Sequence, residues 1–273
     1  MQANRAWSPP AGPLGRLSAA AALRAKDLET RSTDLRDRAK DAPVGAPFAA
    51  ALRRTDVGVI AEVKRSSPSK GVINAGLDAA EQASAYARGG AAALSILTEP
   101  TEFGGRAQDL VDARGATTLP TLKKDFHVHP VQVVEARAIG ASALLLIARA
   151  LRPDDLRAMA DCASELGVEV LVEVRDEEEL ERALTIEHAI IGVNSRDLET
   201  LVIDPGVTSY LIPMIPADRL AVAESGVSGR RDVERAAGAG ADAVLVGSTV
   251  SASPDPTGAV ARLTGVARLL RAG

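Results

Sequence analysis

The sequence predicts an α/β fold, a (β/α)8 barrel (TIM barrel) with an extra N-terminal helix. Three observations predict it: apolar runs without alternation, Ala-rich amphipathic segments between them, and glycines at the junctions. A continuous apolar run is typical of a strand that is buried on both faces, as in a parallel sheet. The runs start at intervals of roughly 20 to 35 residues, which is the length of a βα unit. Eight such units in a chain of 273 residues favour a closed barrel.

Two segments precede the first apolar run. Residues 1–16 are expected to form a flexible tail, in which Trp7 either folds over a pocket or is dispensable, and we favour the second reading. Residues 17–40 are rich in Ala, Leu, Arg, Glu and Asp, which predicts a helix. We assign residues 17–273, this helix included, to one barrel domain.

The strands and helices of the barrel follow in order along the chain. The predicted strands are 57–63, 91–97, 117–122, 142–148, 168–174, 189–193, 219–223 and 242–246. The predicted helices are 78–88, 106–114, 131–139, 154–166, 177–184, 207–212, 228–237 and 256–270. Gly90, Gly140, Gly167 and Gly240 stand just before strands, where the glycines that end helices belong.

A doubly wound open sheet is the alternative fold. It would be expected to have a Gly-rich dinucleotide loop after its first strand. This chain has Lys64-Arg65-Ser66-Ser67 at that place, which favours the barrel.

The composition argues against several classes of function. The formal net charge is -4 and is spread along the chain, which argues against general nucleic-acid binding and against an anionic membrane surface. No apolar run approaches the length of a membrane span. The one cysteine, Cys162, lies in a helical pattern and is interpreted as a packing residue. Because it cannot form an internal disulfide, we expect a reducing, cytoplasmic location.

Polar residues collect where the predicted strands end. Because the active sites of such barrels lie at the C-terminal ends of the strands, these residues are expected to share one rim. Three carboxylates, two lysines and an amide stand out: Glu62, Lys64, Lys124, Glu173, Asn194 and Glu224. Such groups suit general acid–base chemistry, and we expect neighbouring cations and an apolar floor to lower a lysine pKa. A structural ion pair is the alternative for any one of them, but buried ion pairs stabilise proteins poorly.

Two loops of small residues predict a phosphate site. Ser225 and Gly226 follow the seventh strand, and Gly247 and Ser248 follow the eighth. Backbone N–H groups and a helix N-terminus bind phosphate without net positive charge, and these loops form the usual phosphate site of such barrels. Simple turns and helix caps are the alternative explanation.

Two further features concern single residues. His127 and His129 are interpreted as loop residues, since the pattern around them lacks a third metal ligand. Strand alternation allows only one of the neighbours Lys123 and Lys124 to face the mouth of the barrel.

The motifs that contain these residues run in order across nearly all of the predicted barrel. They are IAEVKRSSPSKG (60–71), LTEPTEFGG (97–105), LPTLKKDF (119–126), VLVEV (170–174), IGVNSRDLET (191–200), AESGV (223–227) and LVGS (245–248). Together they resemble the motifs of the indole-3-glycerol phosphate synthase family of tryptophan biosynthesis. EVKRSSPSKG and NSRDL are the most specific. The departures from the family pattern are Glu102, Arg106, Thr249 and HVH after KDF, and they bear on loop packing and substrate affinity.

The resemblance implies a reaction. The substrate would be 1-(2-carboxyphenylamino)-1-deoxyribulose 5-phosphate, whose aromatic ring carbon attacks the ribulose carbonyl before carbon dioxide and water leave. Lys124 would be the general acid of ring closure and Glu173 the general base. Lys64, oriented by Glu62, would contact the carboxylate and assist dehydration. No cofactor and no metal would be needed.

The resemblance also implies the binding residues. Asn194 and Glu224 would hold substrate hydroxyls, and Arg196 would support them. Ser67 would lie beside the anthranilate carboxylate, and Phe103 and Phe126 would flank the aromatic ring of the substrate. The phosphate would be held by Ser225, Gly226, Gly247 and Ser248.

Two other functions stay open. A sister phosphate-binding barrel, such as phosphoribosyl anthranilate isomerase, needs a Cys or Asp acid–base pair at the rim, and Cys162 is in the wrong place for it. A non-catalytic barrel would bind a phosphosugar or a partner enzyme without turnover. We expect a monomer or a weak homodimer that acts on a small phosphorylated substrate, without nucleic acid or membrane.

Overall fold

The structure is a closed barrel of parallel strands. It is a computed structural model that describes residues 7–271, so residues 1–6 of the predicted tail lie outside it. Each barrel strand pairs with the next along the chain, and the last pairs back to the first. The strands are β1 (Gly58–Val63), β2 (Ala93–Leu97), β3 (Thr121–Lys124), β4 (Ala143–Ile147), β5 (Glu169–Val174), β6 (Ile190–Asn194), β7 (Ala221–Glu224) and β8 (Ala243–Val246). The predicted TIM barrel is confirmed.

Helices precede the barrel and alternate with its strands. Those before β1 are α1 (Gly12–Glu29), α2 (Ser32–Asp41) and α3 (Phe48–Leu52). Those after it are α4 (Ala79–Arg88), α5 (Ala107–Ala116), α6 (Pro130–Ala138), α7 (Pro153–Glu165), α8 (Glu177–Leu184), α9 (Gly206–Leu211), α10 (Arg230–Gly238), α11 (Ser248–Ser251) and α12 (Pro256–Ala261). Short 3-10 turns lie at Ala148–Ala150 and Ile212–Met214, and the loop after β1 contains the strand pair Ser66–Ser67 and Gly71–Val72. No helix within residues 7–271 combines the length and apolar character that crossing a membrane requires.

Glycines reverse the chain between a helix and the following strand. The backbone is left-handed at four of them, with φ of 87° at Gly90, 78° at Gly140, 67° at Gly167 and 93° at Gly240. Only glycine adopts this conformation without steric cost, which is why it commonly follows a helix end. The predicted role of these glycines is confirmed.

Most predicted elements agree with the observed ones to within about two residues at each end, and three differ more. The N-terminal helix is two helices, and α1 begins at Gly12 instead of residue 17. Strand β3 begins after Pro120, which has no N–H for the ladder, and continues through Lys123 and Lys124 because both pair with β2. The last helix ends at Ala261 rather than residue 270. A left-handed Gly265 turns the chain there, and Val266 then accepts a hydrogen bond from Val57.

The core has two layers. Inside the barrel, Ile60, Leu122, Leu171 and Leu245 pack in one buried cluster with Leu14, Leu17 and Ala21 of α1 and with Phe48 and Leu52 of α3. The alternate strand residues pack outward against the helices, in a second and larger cluster. Because successive side chains of a strand point to opposite faces, each strand serves both layers. Cys162 on α7 packs partly buried against the outer layer, which confirms its interpretation as a packing residue.

Candidate active site

One cavity opens at the C-terminal ends of the strands. Its volume is about 340 Å³, and α1 contributes Pro13, Leu14 and Leu17 to its wall. All the residues predicted from the sequence for catalysis or binding line it: Glu62, Lys64, Ser67, Phe103, Lys124, Phe126, Glu173, Asn194, Arg196, Glu224, Ser225, Gly226, Gly247 and Ser248. The barrel therefore brings together residues that are far apart in the sequence.

Lys124 of β3 lies between two carboxylates, which β5 and β7 carry near their C-terminal ends. Its Nζ is 3.3 Å from Oε2 of Glu173 and 3.4 Å from Oε2 of Glu224. Burial disfavours the ammonium, but the carboxylates of Glu224, Glu173 and Glu62 outweigh it and raise the pKa of Lys124. The expected lowering of a lysine pKa by neighbouring cations is therefore wrong for this residue, because its nearest charged neighbours are acids.

The same crowding of carboxyl groups favours the neutral form of Glu224, whereas it favours the charged form of Lys124. Burial raises its pKa to about 8, and the charges of Glu173 and Glu62 act in the same direction while Lys124 opposes them. Three carboxyl groups in one buried site cannot all ionise at low cost. A proton retained on Glu224 near neutral pH relieves that repulsion.

A second ion pair forms at the end of β1. The Nζ of Lys64 is 2.7 Å from Oε1 of Glu62, and both side chains are largely buried. Ser95 of β2 donates a longer hydrogen bond of 3.4 Å to the other oxygen of Glu62. The carboxylate therefore holds the ammonium of Lys64 at the cavity wall.

Lys123 faces away from the mouth, as strand alternation predicts. Its buried Nζ is 3.0 Å from Oε2 of Glu135 on α6 and 3.2 Å from Nε2 of His127. His127 also contacts the carbonyl oxygen of Leu145 through Nδ1 at 2.7 Å, and burial together with Lys123 lowers its pKa to about 3. His127 is a buried structural residue, and His129 caps α6. Among residues 7–271, no group of three or more His, Cys, Asp or Glu side chains could hold a metal ion.

Two aromatic rings meet at one side of the cavity. The ring centroids of Phe103 and Phe126 are 6.2 Å apart and the ring planes are tilted by 39°. Glu99 accepts the N–H of Phe103 at 3.1 Å, and Asp125 accepts the N–H of Phe126 at 2.8 Å. The aromatic loops are thus each held by a buried carboxylate.

Arg24 of α1 joins these two carboxylates. Its Nη1 is 3.4 Å from Glu99 and its Nη2 is 2.6 Å from Asp125. The sequence places Arg24 only within a predicted helix, and this role was missed. The helical pattern of residues 17–40 gives no signal for where that helix lies on the barrel.

The remaining polar residues are fixed by local hydrogen bonds. Asn194 accepts the N–H of Arg196 at 2.9 Å, and the guanidinium of Arg196 donates to the carbonyl of Leu201 at 2.8 Å. Ser67 is buried and accepts the N–H of Lys70 at 3.3 Å. These contacts orient the side chains before any ligand binds.

The loops after β7 and β8 border the cavity with backbone. Ser225 and Gly226 both have a left-handed backbone, with φ of 63° and 75°. After β8, Gly247 lies against Glu62, since a Cβ added there would be 2.2 Å from Oε1. A side chain is therefore excluded by space at Gly247, whereas the left-handed backbone favours glycine at Gly226.

Together, the fold and the charged groups in this cavity are those of a (β/α)8-barrel enzyme. A family model described as indole-3-glycerol phosphate synthase matches residues 16–263. The chain belongs to the indole-3-glycerol phosphate synthase family, whose members are carboxy-lyases of tryptophan biosynthesis.

Individual relatives agree with the family model. The chain is 49% identical to the indole-3-glycerol phosphate synthase of Mycolicibacterium smegmatis over 84% of this chain and 85% of the relative. It is 52% identical to that of a Nocardioides species over 79% of this chain and 83% of the relative. Among solved structures, thiamine phosphate pyrophosphorylase from Pyrococcus furiosus aligns with a TM-score of 0.57 at 16% identity. That alignment covers 78% of this chain and 95% of the other, and it shows the fold alone.

Proposed function

We propose that this cavity converts 1-(2-carboxyphenylamino)-1-deoxyribulose 5-phosphate into indole-3-glycerol phosphate, carbon dioxide and water. The observation that carries the proposal is the meeting of Lys64, Lys124 and Glu173 in one cavity. The reaction needs an acid at a carbonyl oxygen, a cation for a carboxylate and a base for a later proton. This cavity offers one group for each need.

Ring closure is assigned to Lys124. The ring carbon that bears the carboxylate attacks the ribulose carbonyl, and the carbonyl oxygen takes a proton from Lys124 as the carbon–carbon bond forms. The raised pKa keeps Lys124 charged at neutral pH, so the proton is in place before the substrate arrives. The carbon–carbon bond to the carboxylate then breaks and carbon dioxide leaves. The electron pair of that bond stays with the ring and restores its aromaticity.

Dehydration is assigned to the other groups of the site. Lys64 contacts the substrate carboxylate first and then donates a proton to the departing hydroxyl, while Glu62 holds its ammonium at 2.7 Å. Glu173 accepts the proton that is lost as the indole double bond forms. Water leaves, Lys64 regains its proton from Glu173, and solvent returns to Lys124 the proton that the decarboxylation consumes.

Substrate binding is assigned to the rest of the cavity wall. Phe103 and Phe126 flank the aromatic ring, and Ser67 contacts its carboxylate. Asn194 and Glu224 hold hydroxyls, with Arg196 in support. The loops of Ser225, Gly226, Gly247 and Ser248 hold the phosphate, which suits backbone N–H donors.

We also propose a location and an assembly state. A net charge of -4 and a single cysteine support a cytoplasmic enzyme without a nucleic-acid partner. We assign it a monomeric or weakly dimeric state, which sedimentation at micromolar concentrations measures.

Turnover by the purified chain tests the proposal. The chain is incubated with the ribulose phosphate substrate, and the appearance of indole fluorescence is followed. Lys124→Ala should abolish turnover, because it removes the acid, while the circular dichroism spectrum and thermal midpoint show a folded protein. Lys40→Ala, which removes an exposed lysine of α2, is the matched control and should turn over like the unmodified chain.

The outcomes separate the alternatives. Binding of the substrate without any product from the unmodified chain would favour a non-catalytic barrel. Conversion of phosphoribosyl anthranilate instead would favour the sister isomerase. Turnover by Lys124→Ala at a near-normal rate would remove Lys124 from the role of general acid.

A further inference from the structure

A glycine in the middle of β6 lies between the two strands that carry the acids around Lys124. In the strand register, Gly192 is opposite Glu173 on β5 and opposite Val222 on β7, two residues before Glu224. Gly192 is buried, and its backbone is not left-handed. Its conformation is therefore open to any residue, and a different reason must account for the missing side chain.

The space beside Gly192 is occupied by the Glu224 carboxyl. A Cβ built on Gly192 would lie 2.1 Å from Oε1 of Glu224 and 2.6 Å from Cδ2 of Leu171. Both distances are far inside van der Waals contact, so a methyl group would force at least one of these side chains to move.

Within the described residues, Oε1 of Glu224 is buried and has no hydrogen-bond partner. Its other oxygen is 3.4 Å from Nζ of Lys124. Because Oε1 makes no hydrogen bond, the carboxyl is held by the ion pair of its other oxygen and by the side chains packed around it. The space that a side chain at Gly192 would fill is thus the space that lets Glu224 lie beside Lys124.

We propose that Gly192 is a positioning residue, whose missing side chain lets the Glu224 carboxyl lie within reach of Lys124. This inference rests on the proposed function, because the role of Lys124 in turnover is what the position of Glu224 would affect. A methyl group at this place pushes the carboxyl away from Lys124 and leaves the ammonium with Glu173 alone.

A double-mutant cycle on the full chain tests it. Gly192→Ala is made in the unmodified chain and in Glu224→Asp, where the shorter side chain leaves room for a methyl group. We expect Gly192→Ala to lower kcat about tenfold in the unmodified chain, and by less than about twofold in the Glu224→Asp background. We expect KM to rise by a smaller factor than kcat falls, because the displaced Glu224 carboxyl loses its place beside Lys124 as well as its contact with a substrate hydroxyl.

Leu171 supplies the matched control, since its side chain is the other one that must move. Gly192→Ala is also made in Leu171→Val, which makes room on that side only. If the effect acts through Glu224, Leu171→Val will not restore kcat. The proposal would be overturned if Leu171→Val restored kcat and Glu224→Asp did not. It would also be overturned if Gly192→Ala lowered kcat equally in all three backgrounds.

The same variants are unfolded in urea, so the result does not depend on turnover. We expect Gly192→Ala to destabilise the unmodified chain more than it destabilises Glu224→Asp. Additive effects of the two substitutions on the unfolding midpoint, or a double variant that fails to fold, would overturn the proposal. An unmodified chain that makes no product would instead reject the proposed function, and the unfolding cycle would still decide the role of Gly192.

Discussion

At the scale of single residues, the Glu224 carboxyl couples folding to pH. Burial raises its pKa to about 8, so between pH 4.5 and 8 the folded chain retains a proton that the unfolded chain has released. Wherever the folded state binds more protons, the free energy of unfolding falls as pH rises. We therefore expect the unmodified chain to lose stability relative to Glu224→Gln across this range, as measured by urea unfolding at a series of pH values.

Glu179 provides the control for this prediction. It is buried at the start of α8, and burial together with Asp176 raises its pKa to about 8 as well. Glu224→Gln should therefore reduce the pH slope, and adding Glu179→Gln should reduce it again. A slope that is unchanged in Glu224→Gln would show that this carboxyl ionises normally in the folded chain.

Single residues also show how far sequence reasoning reaches into the site. Glu62, Lys64 and Lys124 could be predicted because a charged residue at the end of an apolar run has a known place in a barrel. The role of Gly192 could not be predicted, since the sequence around a glycine in a strand does not show which side chains of other strands pack against it. The pKa of Lys124 was predicted in the wrong direction because the balance of charges depends on distances across strands.

At the scale of elements, α1 is tied to the mouth of the barrel by one arginine. Arg24 pairs with Glu99 and Asp125, which hold the backbone of Phe103 and Phe126. Arg24→Met leaves both buried carboxylates without this cation and loosens the two aromatic loops. We expect KM for the substrate to rise roughly fivefold or more with a smaller change in kcat. This pattern is typical of a lost contact that binds the ground state and the transition state equally.

Arg16 is the matched control on the same helix. Its guanidinium pairs with Glu102 at 3.3 Å, but its side chain is 65% exposed. Exposed pairs of this kind contribute little, so Arg16→Ala should leave both kinetic constants near those of the unmodified chain. Equal effects of the two substitutions would mean that α1 acts on the loops through general packing.

The elements themselves were predictable to different degrees. Helix α8 has the predicted bounds, because its acidic first turn and apolar stripe mark both ends. The break between α1 and α2 was not predicted, since Thr30 and Arg31 carry no Gly or Pro signal. The residues after α12 suit a helix, so the sequence predicts one there, yet Ala267 forms a β-bridge with Asp56 instead.

At the scale of the whole molecule, the cavity and the buried ion pairs of Asp242 lie at opposite ends of the barrel. The cavity is at the C-terminal ends of the strands, whereas Asp242 precedes β8 at the other end and accepts the N–H of Ala221 at 2.7 Å. The order of strands and helices was predictable because each βα unit has its own local pattern. The contacts that the terminal segments make with the barrel are long-range, and no local pattern contains them.

Arg271, which follows α12, is bound to Asp242 at this N-terminal end of the barrel. Its side chain is 4% exposed, its Nη1 is 3.0 Å from Asp242, and its Nε donates to the carbonyl of Ile215 at 3.1 Å. Arg271→Ala leaves a buried carboxylate with only Arg268 as a cation, and it leaves a buried carbonyl without its donor. We expect the free energy of unfolding to fall by about 3 kcal/mol, the scale of a broken buried ion pair, as measured in urea.

The kinetics of the same variant decide whether the two ends of the barrel are independent. Since residues at the N-terminal face of such barrels serve stability, Arg271→Ala should keep kcat and KM within about twofold under conditions where it is folded. Arg268→Ala removes the more exposed of the two cations, at 21% exposure, and should destabilise the chain less. A loss of kcat in Arg271→Ala without a loss of unfolding free energy would show that Arg271 affects the cavity at the opposite end of the barrel.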